Sequence, residues 1–479
     1  MPKLQARRDP QYNSRYAKPY IFPKDQIQKL SSHGLIFSDR DQAKAFIRTC
    51  GYFRLSGYTF YFKRGKDFLP GTTFEQVQSL YQFDTEIGNK LVEALEKIEL
   101  SLRFHVSNRL GFYHPFAHRI NKFLRQSHTV WIASPECIKL PKHQEWLEDY
   151  TREEMRSQGD FVRHFTSNYG PHLPVWAATE VMTFGTLSRL FQQMPEEDCK
   201  LIAARMGIID KTGGGDAKTF SNWINHFRYL RNCCAHHSRV WNRVFDQSLS
   251  TPQVAALPDL SEFSRLPHKL YKSIMAIRFI LARIEPDSSW HIEILAQITA
   301  FTQASGIPLG DMGFPEDWKN QKIWQAPPAE KLRACRAADF VTELDIIHQA
   351  QLLQDFCKDR LPAERKNFLR YLCKKKAIFF HQIGDAKYYP LFQFSEEKTH
   401  IKPEVADVNE VLLDKYAYSR DRTPEQCAQD WWLAPDMANG FSTPPIAEIE
   451  QNPHDVLKAA HRLPSSCRII ARAYAAPGN

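Results

Sequence analysis

Between Phe227 and Arg243 the chain reads FRYLRNCCAHHSRVWNR, where two adjacent cysteines and two adjacent histidines are flanked by arginines. Three chemistries use such residues: metal binding, attack by a thiolate, and general acid–base work on an anion. A metal site needs further ligands, and the run is accompanied by neither a glutamate in HExxH register nor a distant cysteine pair at convincing spacing. Cations around Cys233 and Cys234 would favour a thiolate. On a helix, however, Trp223, Phe227, Leu230 and Cys234 form one apolar stripe, so burial is the simpler fate of that thiol. Asn232 and His236 share a second face at i and i+4. Arg231 lies beside them, and Arg228, Arg239 and Arg243 extend the positive charge along the same helix. An imidazole accepts and returns protons near neutral pH, and a guanidinium binds phosphate oxygens in a fork and offsets charge developing on them. RNA brings its own nucleophile, the 2′-hydroxyl, so acid–base chemistry on a phosphodiester requires no metal and no cofactor.

The elements that must position these residues are helical. The run itself is expected on a helix from Ser221 to about Val244, following the loop KTGGGDAKTF. Helices are also expected from Asp25 to about Gly34 and from Asp39 to Cys50, each ending at a glycine. YFRLSGYTFYFK, dense in aromatics with imperfect alternation, reads as an irregular strand or connector. From Thr73, a capping residue, Val77, Leu80, Tyr81, Ile87, Leu91, Leu95, Ile98 and Leu102 recur at three- and four-residue steps, predicting a long amphipathic helix to about Leu110. Asp84 falls on its apolar stripe as a buried clamp, and Glu99 and Arg103 form an i,i+4 pair. Further helices are expected around 144–168, from Pro174 through Trp176, Glu180 and Met182, over 264–284 and over 289–304. Glu180, amid apolar neighbours, is expected to be buried and paired or to line a site. The class is mainly α. A composition break at 325–328 separates a basic arm (1–24) and a first domain (25–325) from a smaller, mostly helical C-terminal domain (326–479) that includes the strand-like YYPLFQF.

With 479 residues, 43% of them hydrophobic and 24% charged, the chain has the composition of a folded multidomain protein. A net charge of +9 with 13% aromatic residues favours a polyanionic partner such as RNA. Ten cysteines without a CxxC pair suit a reducing interior. No signal-peptide pattern and no apolar run of membrane-spanning length is present, which reads as a soluble, cytoplasmic protein.

The string Arg231-Asn232-Cys233-Cys234-Ala235-His236 resembles the RNxxxH signature of HEPN ribonucleases. The segments YFRLSGY, FLPGTTFEQVQSLYQFDTEI, IELSLR, PVWAATEVMTFGTLSRLF, RNCCAHHSRVWNR and MGFPEDW, in this order between about Lys18 and Trp324, resemble the Abi family, the AbiD/AbiF-like bacterial abortive-infection proteins. The resemblance implies a HEPN-like helical bundle and an antiphage, metal-independent endoribonuclease. It implies that Arg231 and His236 are catalytic with Asn232 orienting them, and that His237 is a second candidate. Arg239 and Arg243 would contact phosphates, joined by Arg228 in RNA binding, and Glu99, Arg103 and Glu180 would hold supporting positions. HEPN sites pair two motifs. The chain's other Arg-to-His spacings, such as Arg109 with His114, lack the asparagine, so a homodimer with a shared cleft is implied. RNA of the cell or of a phage would be the substrate, and a structured non-coding RNA a regulator.

YYPLFQF, VNEVLL, DWWLAPDMANGFSTPPIAEI and VLKAAHR more faintly resemble the C-terminal module of Xre/MbcA/ParS-type antitoxins, with Asp436 in place of the usual asparagine. That implies a control module or a dock for a protein partner. Two other functions stay open on the residues alone: a catalytically inactive protein holding a structured RNA, and a protein-interaction regulator of toxin–antitoxin type.

Overall fold

The computed structural model describes residues 20–129, 132–134, 137–139, 142–211, 214–252, 257–324, 346–349, 352–353, 356, 362–383, 386–395, 400–417, 423–433, 445–449 and 452–463. Residues 1–19 of the basic arm, the composition break at 325–328 and most of the antitoxin-like turn (434–444, with Asp436) lie outside the described residues.

Local chemistry sets the first helices. α1 (Pro23–Ser32) has proline in its first turn, where the missing N–H is not needed. α2 (Arg40–Cys50) is capped by Asp39, whose carboxylate accepts the N–H groups of Asp41 at 2.9 Å and Gln42 at 3.0 Å. Gly51, at φ +82°, turns the chain directly into α3 (Tyr52–Thr59). This corrects the strand or connector expected for YFRLSGYTFYFK: the stretch is a helix followed by a 3₁₀ turn, and strand pairing is confined to β1 (Lys63–Arg64) with β2 (Asp67–Phe68). Leu55 and Tyr58, three residues apart, enter the core, while Phe53 stays 92% exposed. The outward aromatics are what obscured the helical period.

The long helix is α4 (Phe74–Tyr113), 40 residues and about 60 Å. Its start is a capping box in which Thr73 and Gln76 satisfy each other's backbone N–H groups. Val77, Leu80, Ile87, Leu91, Leu95, Ile98 and Leu102 are all buried along one side. After it come α5 (Gln126–Thr129), a hairpin of β3 (Ile132–Ser134) and β4 (Cys137–Lys139), α6 (Lys142–Arg156) and α7 (Asp160–Tyr169). The helix expected around 144–168 is thus two, broken before Gly159. Then follow α8 (Val175–Val181), α9 (Phe184–Gln193), α10 (Glu196–Arg205), α11 (Ala217–Ala235), α12 (Leu270–Ile284) and α13 (Trp290–Ser305). α3 and all of α8 to α13 contact α4, so one continuous core runs from Ile27 to Ile323 with α4 as its axis.

The C-terminal part contains β5 (Ile346–His348), α14 (Pro362–Lys374), β6 (His381–Ile383), β7 (Ala386–Pro390), α15 (Pro403–Lys415), α16 (Pro424–Leu433), α17 (Pro445–Glu448) and α18 (Pro453–Arg462). Its antiparallel sheet has the order β5-β7-β6, placing Tyr388 and Tyr389 of YYPLFQF in the central strand. This part has apolar clusters of its own. Tyr388 packs on Leu201 and Ala204 of α10 and donates its hydroxyl to the Glu197 carbonyl at 3.2 Å. The class is mainly α, and no helix among the described residues is long and apolar enough to cross a membrane.

Candidate functional site

α11 carries the Arg–Asn–Cys–Cys–Ala–His run, and both of its ends are tightly specified. At the start, Asp216 accepts the Thr219 N–H at 3.0 Å and its hydroxyl at 2.6 Å. Gly215 just before it admits no side chain: a Cβ there would lie 1.7 Å from the Lys200 carbonyl oxygen of α10. Gly215 is therefore there for packing. Along the helix Trp223, Phe227, Leu230 and Cys234 are buried. His226, also buried, bridges the Gln247 carbonyl at 2.5 Å and the Ser273 hydroxyl of α12 at 2.9 Å. Burial drives the His226 pKa down to about 4, so its imidazole is a neutral strut. Burial also pushes the Cys234 thiol up to about 12 and raises that of Cys233, the reverse of what a nucleophile needs. Cys234 instead packs beside Gly88 of α4.

The helix ends at Ala235, short of the Val244 expected from the sequence. His236 is the last residue to donate in the helical pattern, to the Asn232 carbonyl at 3.0 Å. His237 then takes φ +52°, its N–H bonds the Cys234 carbonyl at 2.9 Å, and the Ser238 N–H bonds the Cys233 carbonyl at 2.8 Å. This is a Schellman ending with histidine where glycine is usual, at a cost of about 1–2 kcal/mol. What stops the helix is a carboxylate on α4. Asp84 accepts the N–H groups of Val240 at 3.1 Å and Trp241 at 2.7 Å, and the Tyr58 hydroxyl at 2.7 Å. Those two amides are captured by a side chain and are lost to helix propagation. Asp84 is 3% exposed, and burial raises its carboxyl pKa to about 6 against the opposing pull of these hydrogen bonds. Arg239 donates to the Gly57 carbonyl at 2.7 Å, and Trp241 meets Tyr61 edge-on at 5.0 Å.

The predicted residues separate into two groups. Arg231, half-buried, and Asn232, His236 and His237, exposed, gather at the C-terminal end of α11. Their side chains make no hydrogen bond among the described residues. Arg228 lies one turn earlier on the same face. Arg239 and Arg243 lie beyond the helix end, which corrects their placement on a continuing helix. Arg239 is engaged with Gly57, and Arg243 stacks over Tyr229 at 5.4 Å and reaches Asp246 at 3.5 Å. Glu99 and Arg103 form the expected pair, and Arg103 also donates to the carbonyls of Thr179 and Met182, tying α8 to α4. Glu180 is exposed, which removes the buried and paired alternative, because α8 turns its other face to α4. Arg109 of the Arg109–His114 spacing is buried, paired with Asp198 at 2.5 Å and bonded to the Tyr113 hydroxyl at 3.0 Å.

Sequence reasoning missed one feature. α6, α9 and α11 enclose a concavity of about 430 Å³ whose wall carries Arg152, Arg156, Arg189 and Arg228. Arg152 and Arg156 come from a segment without a motif, Arg189 lies in PVWAATEVMTFGTLSRLF, and no sequence signal links α6 to α9. Among the described residues no group of three or more His, Cys, Asp or Glu side chains is gathered to hold a metal ion.

No curated protein and no solved structure matches the chain. Residues 45–242 match the family model described as Abi-like protein, and that segment contains the Asp84 clamp, the whole of α11 and the arginine-lined concavity. It is in this segment that the chain is similar to the Abi-like family.

Proposed function

We propose that the protein is an abortive-infection effector that cleaves RNA with the cluster at the end of α11. The family match supports the abortive-infection role. The observation that carries the ribonuclease reading is the end of α11 itself. A guanidinium and an imidazole, with an asparagine between them, are held by a Schellman turn and the Asp84 clamp, and their side chains are not engaged by other described residues.

Arg231 binds the scissile phosphate and offsets its growing negative charge. His236 accepts the proton of the adjacent 2′-hydroxyl as that oxygen attacks phosphorus. The P–O5′ bond breaks, and the departing 5′-oxygen receives a proton from the same motif of a second copy, so a homodimer completes the site. The products are a 2′,3′-cyclic phosphate and a 5′-hydroxyl. Asn232 orients the pair, and His237 is the alternative proton carrier.

The test is cleavage of labelled RNA in EDTA-containing buffer with the 3′ ends mapped. Wild type leaves cyclic phosphates, and His236→Ala, folded and dimeric, does not. A His236→Ala and His237→Ala double variant that cleaves as fast as wild type overturns the reading.

A further inference from the structure

The concavity between α6, α9 and α11 is built for an anion, and its acidic groups are already committed. Its wall holds four guanidinium groups and two carboxylates. Asp149 is shared by Arg152 and by Arg189, the latter at 2.7 Å. Glu153 is drawn away to the first turn of α9, where it accepts the Thr183 N–H at 3.0 Å, the Thr183 hydroxyl at 3.0 Å and the Thr186 hydroxyl at 2.8 Å. Arg156 and Arg228 are left without a carboxylate partner among the described residues. The Arg228 Nε is shut off from solvent and has no hydrogen-bond partner, an unfavourable state for a buried donor that an acceptor in the concavity relieves. The Arg228 guanidinium lies beside the first turn of α9, with Nη1 3.8 Å from where a Cβ on Gly185 would stand.

Arg228 is three residues before Arg231, just under one helical turn or about 4.5 Å along α11. Two arginine side chains at that spacing can each reach one of two neighbouring phosphates of a single strand. We propose that this concavity binds an RNA backbone phosphate adjacent to the scissile one, with Arg228 and Arg156 as its ligands. The inference rests on the ribonuclease reading for the direction of the strand, which runs from the end of α11 toward α9. A planar guanidinium holds a phosphodiester in a bidentate fork, and a volume of about 430 Å³ admits the attached sugar as well.

The experiment uses the full chain and a labelled 2′-O-methyl RNA 20-mer, which lacks the attacking hydroxyl and therefore reports binding whether or not the protein cleaves. Affinity is measured by anisotropy across a salt series. Each phosphate contact contributes about 0.7 to the slope of log K against log salt for a single strand. Arg156→Gln, a change at an exposed position that leaves the fold intact, lowers the slope by about 0.7. Arg156→Gln with Arg228→Gln lowers it by about 1.4 and weakens binding at low salt. Arg163→Gln, at an exposed arginine of α7 paired with Asp160, leaves it unchanged. Inorganic phosphate at matched ionic strength, added to a second series, does not displace the RNA. Unchanged slopes in both concavity variants overturn the proposal, as does full displacement by inorganic phosphate, which would make free phosphate the ligand. Lost slope in a protein that fails to cleave unmodified RNA keeps the phosphate site and removes the ribonuclease reading. Retained cleavage with unchanged slopes removes the phosphate site alone.

Discussion

Two helices of this protein end in the same way on paper. α4 closes with Arg109 and has His114 as its C-cap; α11 closes with Arg231 and has His236 as its C-cap. In each case the arginine precedes the histidine by five residues. At the end of α4 every element of the pair is absorbed. Arg109 is 4% exposed and locked between Asp198 and Tyr113, and His114 Nδ1 accepts the Phe116 N–H at 3.0 Å while its ring stacks on Phe123. At the end of α11 the two side chains have no such partners among the described residues. The spacing places an arginine and an imidazole near each other at a helix end. The neighbours decide whether they form a strut or are available to a ligand.

The contrast can be broken most forcefully at His236. His236→Ala lowers RNA cleavage by about 10²–10⁴-fold, the span of a lost general acid or base, whereas His114→Ala leaves the rate near wild type; single-turnover assays on the same RNA measure both. Equal losses at the two positions would erase the distinction.

Next in size is the arginine pair. Arg109→Ala leaves Asp198 as a buried, uncompensated charge and costs about 3–5 kcal/mol. Arg231→Ala stays within about 0.5 kcal/mol of wild type, as a surface change does. Denaturant unfolding with matched m-values decides this, and comparable destabilisation by both would show that Arg231 is structural as well.

Asp84 sharpens the comparison, since its clamp exists at α11 alone. Its folded pKa of about 6 lies above its unfolded value near 4, so its favourable contribution is full below pH 4 and is lost as pH rises through 6. A shift of roughly two units corresponds to about 3 kcal/mol. The stability of Asp84→Asn relative to wild type is therefore expected to rise between pH 4 and pH 7 and to level off above it. A difference that is flat over that range would mean the carboxyl is ionised throughout.

The smallest expected effect is at His237. Replacing it with glycine relieves the left-handed strain and stabilises the fold by about 1 kcal/mol, read from the unfolding midpoint. The same variant's cleavage rate identifies the proton carrier: activity that survives assigns it to His236, and activity that disappears assigns it to His237.

Much of this was readable residue by residue. The buried line from Val77 to Leu102 follows the three- and four-residue steps of the sequence, and Thr73 and Asp39 act as caps where their side chains predicted it. The stripe of Trp223, Phe227, Leu230 and Cys234 points inward as its period requires. Reading failed where a local pattern was overruled from a distance. YFRLSGYTFYFK has the aromatic density of a strand but is a helix, because Leu55 and Tyr58 find room beside α4. Glu180, amid apolar neighbours, is expected either buried and paired or lining a site, and it is exposed on α8.

The sequence by itself determined the helical class, the inward stripe of α11 and the grouping of Arg231, Asn232 and His236 within about one turn of the same helix. Those properties follow from a backbone period of 3.6 residues, which any stretch carries with it. Only the tertiary structure decided where α11 stops, which arginines are spoken for and that four guanidiniums from three helices share a concavity. Each of those outcomes depends on hydrogen bonds between residues far apart in the chain, Asp84 with Trp241 and Glu153 with Thr183, whose pairing no local pattern encodes.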